Sequence, residues 1–83
     1  DRVILSNVPG LLKDPADEGS LIPRVPRARA GEFITRYAQG RMKKKLISAN
    51  EALEQGVKRV VLADGRVENP VLKALEGRGT VIE

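Results

Sequence analysis

The apolar positions of this chain fall into separate blocks whose spacing alternates between strand-like and helix-like. Val3-Ile4-Leu5, in a run that opens at Asp1, predicts a strand. Ser6-Asn7-Val8-Pro9-Gly10 reads as a turn, with Pro9 fixing φ and Gly10 accepting a positive one. Leu11-Leu12-Lys13 predicts a short strand and residues 14–20 a polar loop. Residues 21–26 carry Pro23 and Pro26, which confine that piece to a sheet edge or an extended arm. Together, residues 11–25 predict a hairpin appended to a larger body.

Helical spacing begins further on. Residues 32–38 predict a short helix with Phe33, Ile34 and Tyr37 on one face. Residues 41–55 predict a longer one, its stripe of Met42, Leu46, Ala49 and Leu53 spaced by four, three and four and stopped by Gly56. Val57-Lys58-Arg59-Val60-Val61-Leu62-Ala63 is a nearly unbroken apolar run, the pattern of a strand covered on both faces. Asp64-Gly65 turns the chain, and Asn69-Pro70 supplies a cap and first-turn pair for a helix over residues 70–75. Gly77 and Gly79 end that helix before a last strand, Thr80-Val81-Ile82. Helix, strand, helix, strand implies parallel crossover units, hence an α/β fold with a mainly parallel sheet.

Composition narrows the chemistry. Eighty-three residues make at most one small domain, one that buries about 60% of the surface its unfolded chain exposes. With 41% hydrophobic residues in blocks, disorder is not expected. No stretch approaches the roughly 18 apolar residues of a membrane span, and no signal peptide opens the chain, so a soluble, cytoplasmic protein is expected. The chain has no cysteine and no histidine, which excludes disulfides, thiol nucleophiles, a Ser-His-Asp triad and the usual zinc sites. Any chemistry must use Lys, Arg, Asp, Glu and backbone groups. The net charge of +4 suits an anionic partner. Phe33 and Tyr37 are the only aromatics, too few to stack a row of bases. Five cations fall between Arg36 and Lys45, a local site rather than a long stripe, so a nucleotide or phosphate is expected before a nucleic acid.

Arg41, Lys43, Lys44 and Lys45 crowd the start of the best helix. The helix dipole is positive there and disfavours cations, so the cluster costs stability unless an anion visits. Free N–H groups, the dipole and lysines together describe a phosphate site; a solvated basic face is the competing reading. At about 100° per residue, Lys44 points away from the apolar stripe, Lys43 lies to one side, and Lys45 lies about 60° from Met42, at the border of the buried face. A lysine there has its stem packed and its ammonium aimed. Lys45 is the candidate for chemistry. The loops at 6–10 and 64–66 stand where open α/β sheets collect ligands, although an ordinary connecting turn is the more common explanation for each. Asp14, Asp17 and Glu18 lack the spacing of a calcium loop and read as turn formers, so no metal ligands are assigned.

The run from Arg2 through Ser6-Asn7-Val8-Pro9-Gly10 to Leu12 resembles the strand and loop that open the nucleotide-binding half of the amino acid kinase family. Gly40-Arg41-Met42-Lys43-Lys44-Lys45 is similar to that family's Gly-x-Met-x-x-Lys helix start, and Val60 to Arg66 with Gly79 to Ile82 is similar to its last two strands. The resemblance covers essentially the whole chain. It is nearest to N-acetylglutamate kinases and, nearer still, to kinases of 2-aminoadipate held on an amino-group carrier protein. Asn69 stands where N-acetylglutamate kinases have His, and Asn7 where they have Asp.

The resemblance implies part of a three-layer sandwich and an ATP-dependent transfer to a side-chain carboxylate, with Mg2+, giving an acyl phosphate in lysine or arginine biosynthesis. It implies a role for Lys45 at the transferring phosphoryl group. It also implies nucleotide contacts from Asn7, Val8, Pro9, Gly10, Leu11 and Leu12 and from Tyr37, Ala38 and Gln39. An acidic carrier protein would bring the acceptor, and the full chain would be a homodimer. The family's second lysine, glycine-rich loop and acceptor site match nothing in residues 1–83. The chain is therefore expected to be the C-terminal, ATP-binding portion of a longer kinase, inactive alone. N-acetylglutamate kinase and a small basic nucleic-acid-binding module are the alternatives.

Overall fold

The structure, a computed structural model, describes residues 2–83; Asp1, which the sequence puts at the head of the first strand, lies outside them. Strands β1 (Arg2–Ser6), β2 (Arg24–Val25), β3 (Val60–Asp64) and β4 (Thr80–Ile82) form one sheet in the order β1-β3-β4-β2. Helices α1 (Ala30–Tyr37) and α2 (Gly40–Glu54) cover one face, and α3 (Pro70–Leu75) covers the other. Alternation along β3 explains the sandwich. Val60 and Leu62 join the core under α1 and α2, whereas Val61 and Ala63 pack with Ala74 of α3. The predicted stripe on α2 is the buried one, and withdrawing Leu46 from water contributes about 1.5–3 kcal/mol.

Both helices that lead into a strand end on glycine in the same way. After α2, the Gly56 N–H donates to the Leu53 carbonyl and the Val57 N–H to that of Ala52; after α3, Gly77 donates to Ala74 and Arg78 to Lys73. Gly56 and Gly77 carry φ of 108° and 89°, so each closes a Schellman-type end that few other residues tolerate.

Five expectations are modified. Gly10 does not adopt the positive φ expected of it, and its lack of a side chain instead leaves room for Thr80, whose Oγ1 a Cβ there would meet. β1 pairs parallel with β3 and β2 with β4, but β4 runs antiparallel to β3, with Leu62 opposite Thr80. β4 therefore enters at the end where β3 leaves, and the six-residue α3, about 9 Å long, is shorter than the five-residue strand of about 16 Å that it covers. β3 starts at Val60 rather than Val57, because the Arg27 guanidinium takes the Val57 and Lys58 carbonyls (3.2 and 2.9 Å) that a longer ladder would need. Asn69 occupies the cap position of α3 without a side-chain cap bond. The following proline disfavours a right-handed helical conformation, and Asn69 adopts φ 51°, a left-handed state that asparagine tolerates.

The hairpin is narrower than predicted. It consists of one antiparallel bridge, Leu12 with Leu21, and bonds from Ile22 to Leu11 (2.8 Å) and Lys13 to Ser20 (3.1 Å), with a 3-10 turn over Glu18–Ser20 at its tip. Its second arm then leaves to become the edge strand β2, the position that the prolines foretell. The hairpin hangs on Thr80. That fully buried hydroxyl accepts the Leu11 N–H (2.8 Å) and donates to the Ile22 carbonyl (2.7 Å).

Candidate nucleotide groove

A groove lies beyond the carboxyl ends of β1 and β3, between the hairpin and the start of α2. Its apolar end, about 140 Å³, is walled by Val8, Gly10, Leu11, Leu12, Pro15 and Tyr37. Its open end, about 690 Å³, is lined by Leu5, Ser6, Asn7 and Gly65 and by three cations, Arg41, Lys45 and Arg66. Val8, Gln39 and Met42 belong to both, which makes the groove continuous. This geometry suits an elongated ligand, apolar at one end and anionic at the other.

Each wall follows from local sequence. Gly40, at φ 55°, turns the chain from α1 into α2 and aims the N-terminal turn of α2 at the open end. Gln39 makes no side-chain capping bond, and no acidic residue lies in that first turn, so the positive end of the dipole stays uncompensated. Lys43 and Lys44 project into solvent, whereas Lys45 is half-buried and its Nζ donates to the Leu5 carbonyl at 3.1 Å. Tyr37 is braced by Phe33, with ring centroids 5.7 Å apart, and carries Arg36 over its face.

Arg66 is held differently. Its N–H and Nε both donate to Asp64 Oδ1 (2.9 Å each), and Nη2 donates to Asp64 Oδ2 (2.8 Å). Nη2 and Nη1 also meet the two Glu18 carboxylate oxygens at 3.1 and 3.4 Å, tying the hairpin tip to the turn after β3. The hydrogen bond from Arg66 holds the Asp64 carboxyl below the usual aspartate range, against a smaller opposing effect of burial. The two carboxylates in turn push the Arg66 guanidinium further up.

The groove gathers most of the residues singled out from the sequence. Lys45, Asn7, Val8, Gly10, Leu11, Leu12, Tyr37 and Gln39 all line it. Two do not. Ala38 is buried in the core under α1 and α2, and Pro9 faces a separate cleft with Leu21 and Val67. Met42 reads as core in the sequence yet also lines the groove, as the first member of its stripe. Pro15 carries no signal beyond that of a loop. Asp14 and Asp17 act as turn formers, their Oδ1 atoms accepting the N–H groups of Ala16 (3.0 Å) and Gly19 (2.9 Å). Among the described residues no cluster of three or more Asp, Glu, His or Cys side chains could hold a metal ion, and no helix is long and apolar enough to cross a membrane.

No family model matches the chain. Among curated proteins it is similar to the LysW-aminoadipate kinase of Thermus thermophilus, 55% identical across 96% of this chain and 30% of that protein. The LysW-aminoadipate kinase of Deinococcus radiodurans is 51% identical across 96% of the chain and 27% of its own length. The LysW-aminoadipate/LysW-glutamate kinase of Sulfolobus acidocaldarius is 37% identical across 98% of the chain and 29% of its own length. Similarity of this strength runs through nearly all of the chain's residues, and over that length the chain resembles these kinases. It spans about 30% of the length of the relatives it matches.

Proposed function

We propose that the chain is the ATP-binding, C-terminal portion of a kinase that phosphorylates a side-chain carboxylate. The observation that carries this reading is the groove, whose apolar end adjoins three cations, Arg41 and Lys45 from the start of α2 and Arg66 from the turn after β3. Adenine suits the cleft between Leu11, Leu12 and Tyr37, and the phosphates suit Lys45, Arg41 and the first turn of α2. In the transfer, the bond between the γ-phosphorus and its bridging oxygen breaks as an acceptor carboxylate oxygen bonds to that phosphorus, giving an acyl phosphate and ADP. Such a reaction is largely alignment and charge neutralisation. Lys45, steered by the Leu5 carbonyl, places a positive charge where the transferring group becomes most anionic. ATP is expected with Mg2+, but the described residues form no ligand set for it.

The names of the relatives support LysW-linked aminoadipate, or glutamate, as the acceptor ahead of free N-acetylglutamate, and the proposal takes that carrier to be an acidic protein. A cytoplasmic homodimer serving lysine biosynthesis completes the proposal. The test is to trap the acyl phosphate with hydroxylamine, using the protein at its full natural length with ATP. Hydroxamate formed from the carrier-bound substrate supports the reading. Hydroxamate formed only from free N-acetylglutamate transfers the assignment to N-acetylglutamate kinase. None from either acceptor overturns it, as would binding confined to nucleic acid and falling steeply with salt. Residues 1–83 alone are expected to show no turnover.

A further inference from the structure

Of the three groove cations, Arg66 alone is engaged by carboxylates among the described residues. Its two engagements are unequal. Asp64 grips the inner edge of the guanidinium, accepts the backbone N–H of the same residue, and is itself only 17% exposed. That grip sets the orientation of the side chain. Glu18 meets the outer edge, Nη1 with Nη2, from a hairpin tip 48 residues away in sequence, and both side chains of the pair are about half exposed. An ion pair this exposed is weak and readily exchanged. The outer edge is a planar two-donor fork, which a phosphate can take as well as a carboxylate. It also belongs to the residue that lines the open end of the groove opposite the apolar cleft.

We propose that Arg66 is a phosphate-binding residue of the groove, and that Glu18 occupies its outer edge until a nucleotide phosphate displaces it. The proposal rests on the groove being a nucleotide site. Glu18 is then an internal competitor for the polyphosphate, and the hairpin tip is tied to the turn after β3 only when that edge holds no phosphate. Asp64 remains bound in both states and is a positioning residue.

The test measures binding of ATP, inorganic tripolyphosphate and adenosine to the full-length protein by calorimetry, without an acceptor. Glu18→Gln is expected to tighten ATP and tripolyphosphate by about three- to tenfold and to leave adenosine unchanged. Arg66→Lys keeps the charge but loses the fork. It is expected to weaken both polyphosphates and, combined with Glu18→Gln, to erase the gain. If the wild-type protein binds ATP but Glu18→Gln binds the polyphosphates no more tightly, the role of Arg66 is overturned while the groove remains a nucleotide site. An equal shift for adenosine would mean that Glu18 acts on the shape of the hairpin, which also overturns the proposal. Failure of the wild-type protein to bind either ATP or tripolyphosphate removes the nucleotide site and this inference together.

Discussion

The ammonium of Lys45 reaches the carbonyl oxygen of Leu5 across 3.1 Å, so the one lysine that α2 turns toward the groove is held by the end of β1. Two elements 40 residues apart thereby fix one charge. Lys43 and Lys44, a residue or two earlier, have no such partner among the described residues and are exposed to solvent. Replacing Lys45 with Ala in the full-length protein is expected to lower turnover by about 10²–10³-fold. Direct titration should show ATP binding changed only a few-fold. Near-normal turnover would remove Lys45 from the site.

Thr80→Val keeps the volume of the side chain but strips the Leu11 N–H and the Ile22 carbonyl of their shared partner inside the protein. A loss of about 2–3 kcal/mol is expected in urea unfolding, with Thr80→Ser recovering most of it. If Val is tolerated without loss, the hairpin is not held by this hydroxyl.

Gly79 and Gly31 make a matched pair. At Gly79 φ is 121°, and a Cβ would run into the carbonyl of Leu62, so Gly79→Ala should cost about 3 kcal/mol or more. At Gly31, in α1, a Cβ meets nothing within 4 Å, and Gly31→Ala should stabilise by about 0.5–1 kcal/mol. Thermal melts of the two variants that moved in the same direction would contradict the backbone described above.

Asp64 gives stability a defined pH dependence. Arg66 depresses its folded-state pKa, so below the ordinary aspartate value of about 3.9 the unfolded chain binds the proton first. The contribution is therefore complete above that value and is lost as pH falls toward the depressed one. Urea midpoints should decline between about pH 5 and pH 2 more steeply for the wild-type protein than for Asp64→Asn. Parallel slopes would show that the pair contributes nothing.

Much of this was legible in the sequence because it is local. The stripe on α2, its stop at Gly56 and the border position of Lys45 all follow from helical periodicity, and the doubly covered β3 follows from an unbroken apolar run. What escaped depends on partners distant in sequence. No pattern within residues 57–63 announces that Arg27 will take the Val57 and Lys58 carbonyls, nor does any signal in Thr80 announce the hairpin it holds. The antiparallel entry of β4 is a matter of strand direction, which periodicity within a segment does not encode. Within the groove, Ala38 and Pro9 sit beside true lining residues in sequence, but alternation along the backbone turns them elsewhere.

The Thr80 pin also sets an order of events during folding. One wall of the groove, from Gly10 to Ile22, is fastened by a residue 69 positions beyond Leu11, so that wall cannot settle until the fourth strand has docked against the third. A molecule that fills the groove therefore recognises only chains whose last pairing is complete. By mass action it would draw the population toward them and act on its own binding protein as a folding checkpoint.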